Sequence, residues 1–176
     1  LSEEQDVVVR YQGGNNAGHT VINEQGKFIL NLLPSGILRS NVTNIMGNGM
    51  VVDLKHLCGE IEKLKSAGVK ITPDNLKISD KAVICMPYHV LLDCLEEDRL
   101  GDKKYGSTRR GIAPAYGDKY LKKAVRMCDL LDEAALNEKI SEAVSYKNKE
   151  IKGVYGERGI GLEEVLDWLK EYGRRI

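Results

Sequence analysis

The chain has 176 residues, its 26 Lys and Arg balanced by 26 Asp and Glu, with 42% hydrophobic and 30% charged content. That describes a globular chain able to bury a real core, with no overall electrostatic pull toward nucleic acid or an anionic membrane surface. Aromatic content of 6% gives no stacking platform for single strands, and no apolar run approaches the ~20 residues of a membrane span.

Leu1 to Asp6 is acidic and lacks an initiator Met. It has the features of neither a signal nor a transit peptide, and reads as the continuation of an upstream segment. Val7 to Tyr11 is a strand. It runs into Gln12-Gly13-Gly14-Asn15-Asn16-Ala17-Gly18-His19-Thr20. Glycines let backbone N–H groups approach a ligand closely, and Asn and Thr add neutral donors, a composition suited to cradling an anion such as phosphate. His19 adds the side chain that titrates nearest neutrality. The alternative is an ordinary Gly/Asn-rich turn.

Thr20-Val21-Ile22 and Phe28-Ile29-Leu30 flank Asn23-Glu24-Gln25-Gly26, which reads as a hairpin. Asn44-Ile45-Met46 and Met50-Val51-Val52 are short apolar runs around Gly47-Asn48-Gly49. Asp53 is an N-cap candidate for a helix with Leu54, Leu57, Cys58, Ile61 and Leu64 on one face and Gly68 just past its end. Leu76 to Ile78 and Ala82 to Met86 are further strand candidates. From Pro87 onward only helical periodicity remains: Tyr88, Leu91, Leu92 and Leu95; Leu136, Ile140, Ala143 and Val144; Leu162, Val165, Leu166 and Leu169, closed by Gly173. Lys147 to Lys152 reads as a solvated helix end, and Gly153, Gly156, Gly159 and Gly161 as a loop between helices. The expected fold class is α/β, a mixed sheet with flanking helices over residues 1–86, followed by an all-helical subdomain over 87–176.

Inside the helical half, Tyr105-Gly106-Ser107-Thr108-Arg109-Arg110-Gly111-Ile112-Ala113-Pro114-Ala115-Tyr116 sets hydroxyls beside two arginines, again suited to a phosphate. Lys119, Lys122, Lys123 and Arg126 follow at spacings that would gather cations along one helical side. A basic surface loop and a solvated helix are the alternative. Cys58, Cys85, Cys94 and Cys128 form no Cys-x-x-Cys pair. His56-x-Cys58 and Cys85-x-x-x-His89 each lack a second half for a metal site. Free thiols, as in a reducing cytoplasm, are the expectation.

Several stretches carry a family resemblance. Val7 to Thr20, Leu32-Leu33-Pro34-Ser35-Gly36-Ile37-Leu38, Ile45-Met46-Gly47-Asn48-Gly49, Gly106-Ser107-Thr108, Arg110 to Tyr116 and Asp129-Leu130-Leu131-Asp132 resemble, in one collinear order, the motifs of the adenylosuccinate synthetase family. The resemblance covers nearly the whole chain and weakens after Lys147. It implies a ligase that couples IMP and L-aspartate using GTP and Mg²⁺, and a cytoplasmic homodimer that engages neither nucleic acid nor membrane.

By position, the resemblance implies that His19 is the catalytic proton donor. It implies IMP contacts at Asn16, Ala17, Gly18, His19, Thr108 and Lys122, and GTP contacts at Gly18, His19 and Thr20. The Gly18 carbonyl would be a Mg²⁺ ligand, and Lys122 would reach the partner subunit's IMP site. The family's first strand and glycine-rich phosphate loop, with its carboxylate base, would precede Leu1, and the guanine and aspartate sites would follow Ile176. The chain is therefore expected to be catalytically incomplete alone. A non-catalytic nucleotide-binding module or a dimerising remnant are the alternatives. Three departures stand out: Lys122 for arginine, Ala113 for glycine and Gly117 for an acidic residue.

Overall fold

Two glycines set the spacing of the first sheet. The computed structural model describes residues 5–23 and 26–176, which fall into two units, one up to Ala82 and one from Val83 onward. The first holds β1 (Val7–Gly13), β2 (His19–Asn23), β3 (Gly26–Leu30), β4 (Thr43–Val52), helix α1 (Leu54–Ser66) and β5 (Leu76–Ile78). β1, β4 and β5 form a parallel sheet in that order. The β1–β4 register runs Val8↔Asn44 to Arg10↔Met46, shifts between Arg10 and Gln12, and resumes at Gln12↔Gly49. At the shift, a Cβ on Gly49 would lie 2.3 Å from the Tyr11 carbonyl oxygen, and one on Gly47 would lie 2.9 Å from Tyr11 Cα. Glycine here permits a close strand approach at a bulge. The two short runs expected around Gly47-Asn48-Gly49 are therefore one unbroken strand.

Met46, Met50, Val51 and Val52 of β4 are fully buried. β1 lies at the end of the strand order, and its Val7, Val9 and Tyr11 are 48%, 51% and 66% exposed. β2 and β3 pair antiparallel from His19↔Leu30 to Asn23↔Gly26, as the hairpin reading requires; its turn residues Glu24 and Gln25 lie outside the described residues. Asp53 caps α1 by accepting the His56 N–H at 3.0 Å. The buried Leu54, Leu57 and Leu64 contribute on the order of 1.5–3 kcal/mol each.

The second unit begins at β6 (Val83–Ile84), two residues of the strand expected over Ala82–Met86. The Ile84 N–H donates to the Val125 carbonyl at 2.8 Å. Then come α2 (Pro87–Leu100), α3 (Ile112–Tyr120), α4 (Glu133–Tyr155) and α5 (Leu162–Gly173). The predicted stripes meet in a core of Tyr88, Leu92, Leu136, Ile140, Val144, Val165 and Leu169. Among the described residues no helix is long and apolar enough to cross a membrane.

Two helical expectations are corrected. Lys147 is not a solvated end residue: it lies inside α4, 6% exposed, with Nζ 2.6 Å from Asp118 Oδ1. Lys119, Lys122, Lys123 and Arg126 do not share a helical side, because α3 ends at Tyr120. There the Lys122 N–H donates to the Lys119 carbonyl and the Lys123 N–H to the Asp118 carbonyl, with Lys122 at φ +61°. This is a Schellman closure with lysine where glycine is usual. In the glycine cluster, Gly153 is helical, Gly156 caps α4 and Gly161 precedes α5.

Candidate functional site

In the first unit, β1 delivers the chain to Gly14 and β2 takes it up at His19, so the Gly/Asn segment is a loop between two strands. Val8, Val9, Arg10, Tyr11, Gln12, Ala17, Gly18, His19, Pro34 and Ser35 line a cavity of ≈ 480 Å³. Three expected site residues, Ala17, Gly18 and His19, are thus brought to one cavity. Asn16 and Thr20 are exposed on the flanking loop and strand.

The imidazole is half-buried, and among the described residues its Nε2 is buried with no hydrogen-bond partner. Burial lowers the His19 pKa from the ordinary imidazole value, and the Arg10 guanidinium lowers it further, while the Glu60 carboxylate opposes both. His19 is therefore neutral at pH 7, a donor from one nitrogen and an acceptor at the other. Asn15 is buried. Its Nδ2 donates to Asp53 Oδ2 at 3.0 Å, and its Oδ1 has no partner among the described residues. A carboxylate only accepts, which fixes that amide's orientation.

The loop is built from beneath. Arg10 donates to the Asn31 carbonyl and, at 3.1 Å, to the Gly14 carbonyl. Asn31 Nδ2 donates to the Ala17 carbonyl at 3.2 Å. Glu60, 8% exposed in α1, accepts the N–H groups of Asn31, Leu32 and Leu33 at 2.9, 2.9 and 3.3 Å. The sequence singles out none of Arg10, Asn31 and Glu60 as a site residue, although Arg10 lies inside the Val7–Thr20 motif. The one available signal was a glutamate on the apolar face of an otherwise regular helix.

In the second unit Thr108 lies on an exposed loop whose neighbours are tied to α2. Asp93 accepts the Ser107 hydroxyl at 2.5 Å and the Gly111 N–H at 2.8 Å. Glu97 accepts the N–H groups of Tyr105 and Gly106 at 3.0 and 3.1 Å. Asp98 pairs with Arg109 at 2.5 Å, and Arg109 takes a positive φ of 56°. His89, also on α2, accepts the Met86 N–H at Nδ1 and donates from Nε2 to Asp118, both at 3.0 Å. His89, Asp93 and Glu97 fall at i, i+4 and i+8, a buried polar stripe the sequence reading passed over in favour of the leucines. Lys122 and Lys123 join Asp118, Lys139, Glu142, Tyr146 and Lys147 around a second cavity of ≈ 360 Å³.

The departures resolve differently. Ala113 is helical and exposed, without the positive φ that would strain it. Gly117 sits within α3 facing open space. Lys122 alone bears backbone strain. The four cysteines are free thiols. His56 Nε2 meets Asn31 Oδ1 at 3.3 Å and Cys85 Sγ donates to the Arg110 carbonyl at 3.2 Å. Among the described residues no group of three or more His, Cys, Asp or Glu is arranged to hold a metal ion.

Comparison with known proteins adds the following. The family model described as adenylosuccinate synthetase matches residues 1–176. An adenylosuccinate synthetase from Caldanaerobacter subterraneus subsp. tengcongensis is 47% identical over all of this chain and 41% of its own length. One from Geobacillus sp. (strain WCH70) shows the same identity and coverage. A solved structure of fully ligated adenylosuccinate synthetase from Plasmodium falciparum superimposes on 99% of this chain and 40% of its own, with TM-score 0.83 and 31% identity. The chain thus spans about two-fifths of the length of the relatives it matches.

Proposed function

The chain belongs to the adenylosuccinate synthetase family, and from that premise we propose that it supplies the IMP- and phosphate-contacting part of a GTP-dependent, C–N bond-forming ligase. The reaction joins IMP to L-aspartate, giving adenylosuccinate for purine nucleotide synthesis. The observation that carries the reading is the His19 imidazole: half-buried, lining a cavity, its pKa lowered by burial, with Nε2 lacking a hydrogen-bond partner among the described residues.

In this reading the purine O6 attacks the γ-phosphorus of GTP, breaking its bond to the bridging oxygen and releasing GDP, and the aspartate amine then displaces phosphate from C6. Charge grows on the transferred phosphoryl oxygens, and a fixed donor beside them lowers the barrier more than a mobile water does. His19 supplies that donor. Asn16, Ala17, Gly18 and His19 contact IMP, and Gly18, His19 and Thr20 contact GTP. Thr108 holds the IMP phosphate through its hydroxyl. Lys122 reaches the IMP site of the partner subunit in a homodimer, as a point charge without arginine's fork. The Gly18 carbonyl would offer Mg²⁺ one hard oxygen ligand, and the ion, when bound, would neutralise phosphate charge. Residues 1–86 form the nucleotide-binding portion and 87–176 the helical portion. The free thiols suit a cytoplasmic protein. The family's carboxylate base corresponds to no residue of this chain, so the isolated chain is assigned binding rather than turnover.

Two measurements test this. In the full-length enzyme, His19→Ala lowers kcat by ~10²- to 10³-fold; unchanged turnover removes His19 from the mechanism. Calorimetric titration of the chain with IMP gives saturable heat that Thr108→Ala weakens by about five- to tenfold. No heat above the buffer control favours a dimerising remnant instead.

A further inference from the structure

A carboxylate on the buried face of a helix is costly unless its oxygens are hydrogen-bonded. Glu60 meets that condition by filling a nest of consecutive N–H groups at Asn31, Leu32 and Leu33. Leu32 and Leu33 are themselves fully buried, so the backbone of residue 31 is pinned from two directions. From that fixed point Asn31 reaches β1 and the His19 loop on one side and α1 on the other. Its carbonyl accepts from Arg10, its Nδ2 donates to the Ala17 carbonyl at 3.2 Å, and its Oδ1 lies 3.3 Å from His56 Nε2. The Ala17 carbonyl can only accept, so the amide orientation is determined, and His56 carries its proton on Nε2.

We infer that Asn31 is a positioning residue for the His19 loop, tethering Ala17 and Gly18 to a base that Glu60 holds rigid. The role deepens the reading of His19 and rests on that reading for its catalytic consequence only. Two further observations support it. A Cβ on Gly18 would lie 2.7 Å from Asn31 Nδ2, so the tether passes where a side chain would otherwise stand. His19 pairs with Leu30 across the hairpin, which sets the imidazole's backbone beside the pinned residue. Ala17 and Gly18 are exposed and add nothing to the core, so the bond to Ala17 serves the placement of the loop. Among the described residues, the charges that bear on His19 are those of Arg10 on β1 and Glu60 on α1.

The test uses the 176-residue chain, labelled with ¹⁵N, whose three histidines are followed by NMR titration alongside amide hydrogen exchange. Asn31→Ala removes the tether. The His19 midpoint then rises toward the ordinary imidazole value as burial is lost, and exchange at Gly18 and His19 quickens about fivefold. His89 and the α1 amides stay unchanged. Asn31→Asp keeps the size and sets an acceptor against the Ala17 carbonyl; it gives the same two changes. Unaltered His19 titration and exchange in both folded variants overturns the inference. So does loss of the fold in both, because Asn31 would then serve stability. IMP calorimetry on the same samples separates the two readings: absence of IMP binding in the unaltered chain, with His19 still responding to Asn31→Ala, removes the functional assignment and leaves the tether standing.

Discussion

In the first unit one carboxylate, Glu60, gathers three consecutive N–H groups at 31–33, and the loop of interest hangs from that turn through Asn31. In the second unit two carboxylates one turn apart, Asp93 and Glu97, divide the 105–111 loop between them. The single anchor holds its loop at second hand and presents a titratable ring. The double anchor clamps its loop directly and presents a neutral hydroxyl at Thr108. A group whose protonation matters thus hangs from its anchor through an intermediate residue, while a group that only offers a hydroxyl sits on a loop bonded to its anchors directly. Both devices satisfy buried charge with backbone donors, which cost no side-chain entropy to position.

Removing a buried carboxylate is the most direct way to break the comparison, and the largest effect falls in the second unit. Asp118 is 2% exposed and bonded to both His89 and Lys147. Asp118→Ala takes from the buried Lys147 ammonium its 2.6 Å partner, leaving the half-buried Glu150 at 3.7 Å, and lowers stability by about 3 kcal/mol, measured by denaturant unfolding with Trp168 fluorescence, the chain's one tryptophan and a reporter within α5. In the first unit, Glu60→Ala leaves the three N–H groups without their acceptor and costs about 3 kcal/mol. Hydrogen exchange at Asn31, Leu32 and Leu33 should rise with it. Slow exchange retained there would mean the turn holds itself.

Acid sharpens the contrast more gently. Burial lowers the His89 pKa, against hydrogen bonding and charge from Asp118 that raise it. A folded value below the unfolded one gives stability that is complete above about pH 6.5 and is lost as pH falls toward the depressed value. Burial raises the Asp118 pKa, but bonds from His89 and Lys147 outweigh it and hold the carboxyl below its ordinary value. Its contribution is present above the unfolded value and is lost as pH falls through the folded one. Both act in one direction, so unfolding free energy should fall on acidification below pH 6.5, by up to about 1.4 kcal/mol per pH unit from His89 alone. His89→Gln flattens the first part of that curve. The smallest effect is local: Lys122→Gly relaxes a left-handed residue and raises stability by about 1 kcal/mol, read as a shift in denaturant midpoint.

What the sequence made legible was local. The Asp53 cap, the β2–β3 pairing, the Gly/Asn loop and the helical stripes each follow from neighbours within a few positions. Glu60 was not legible, because its partners lie 27 to 29 residues away and are backbone groups with no side-chain signature. Lys147 was misread for the same reason: its charge run looks solvated until Asp118, 29 positions earlier, folds against it. Gly47 and Gly49 read as a break because a turn and a close strand approach ask for the same residue. At the site, the loop and His19 stood out through composition, whereas Arg10 and Asn31 act through carbonyls that no composition reveals.

The lysine closing α3 has one more consequence. A long cationic side chain ordinarily forfeits much rotational freedom when it meets an anion, but Lys122 starts from a backbone already locked by the Schellman pair of bonds. Its flexible four-carbon stem is rooted at a fixed point at the end of a helix, so any anion it engages is met by a leashed charge whose backbone is already ordered. Glycine would ease the turn and leave no leash at all.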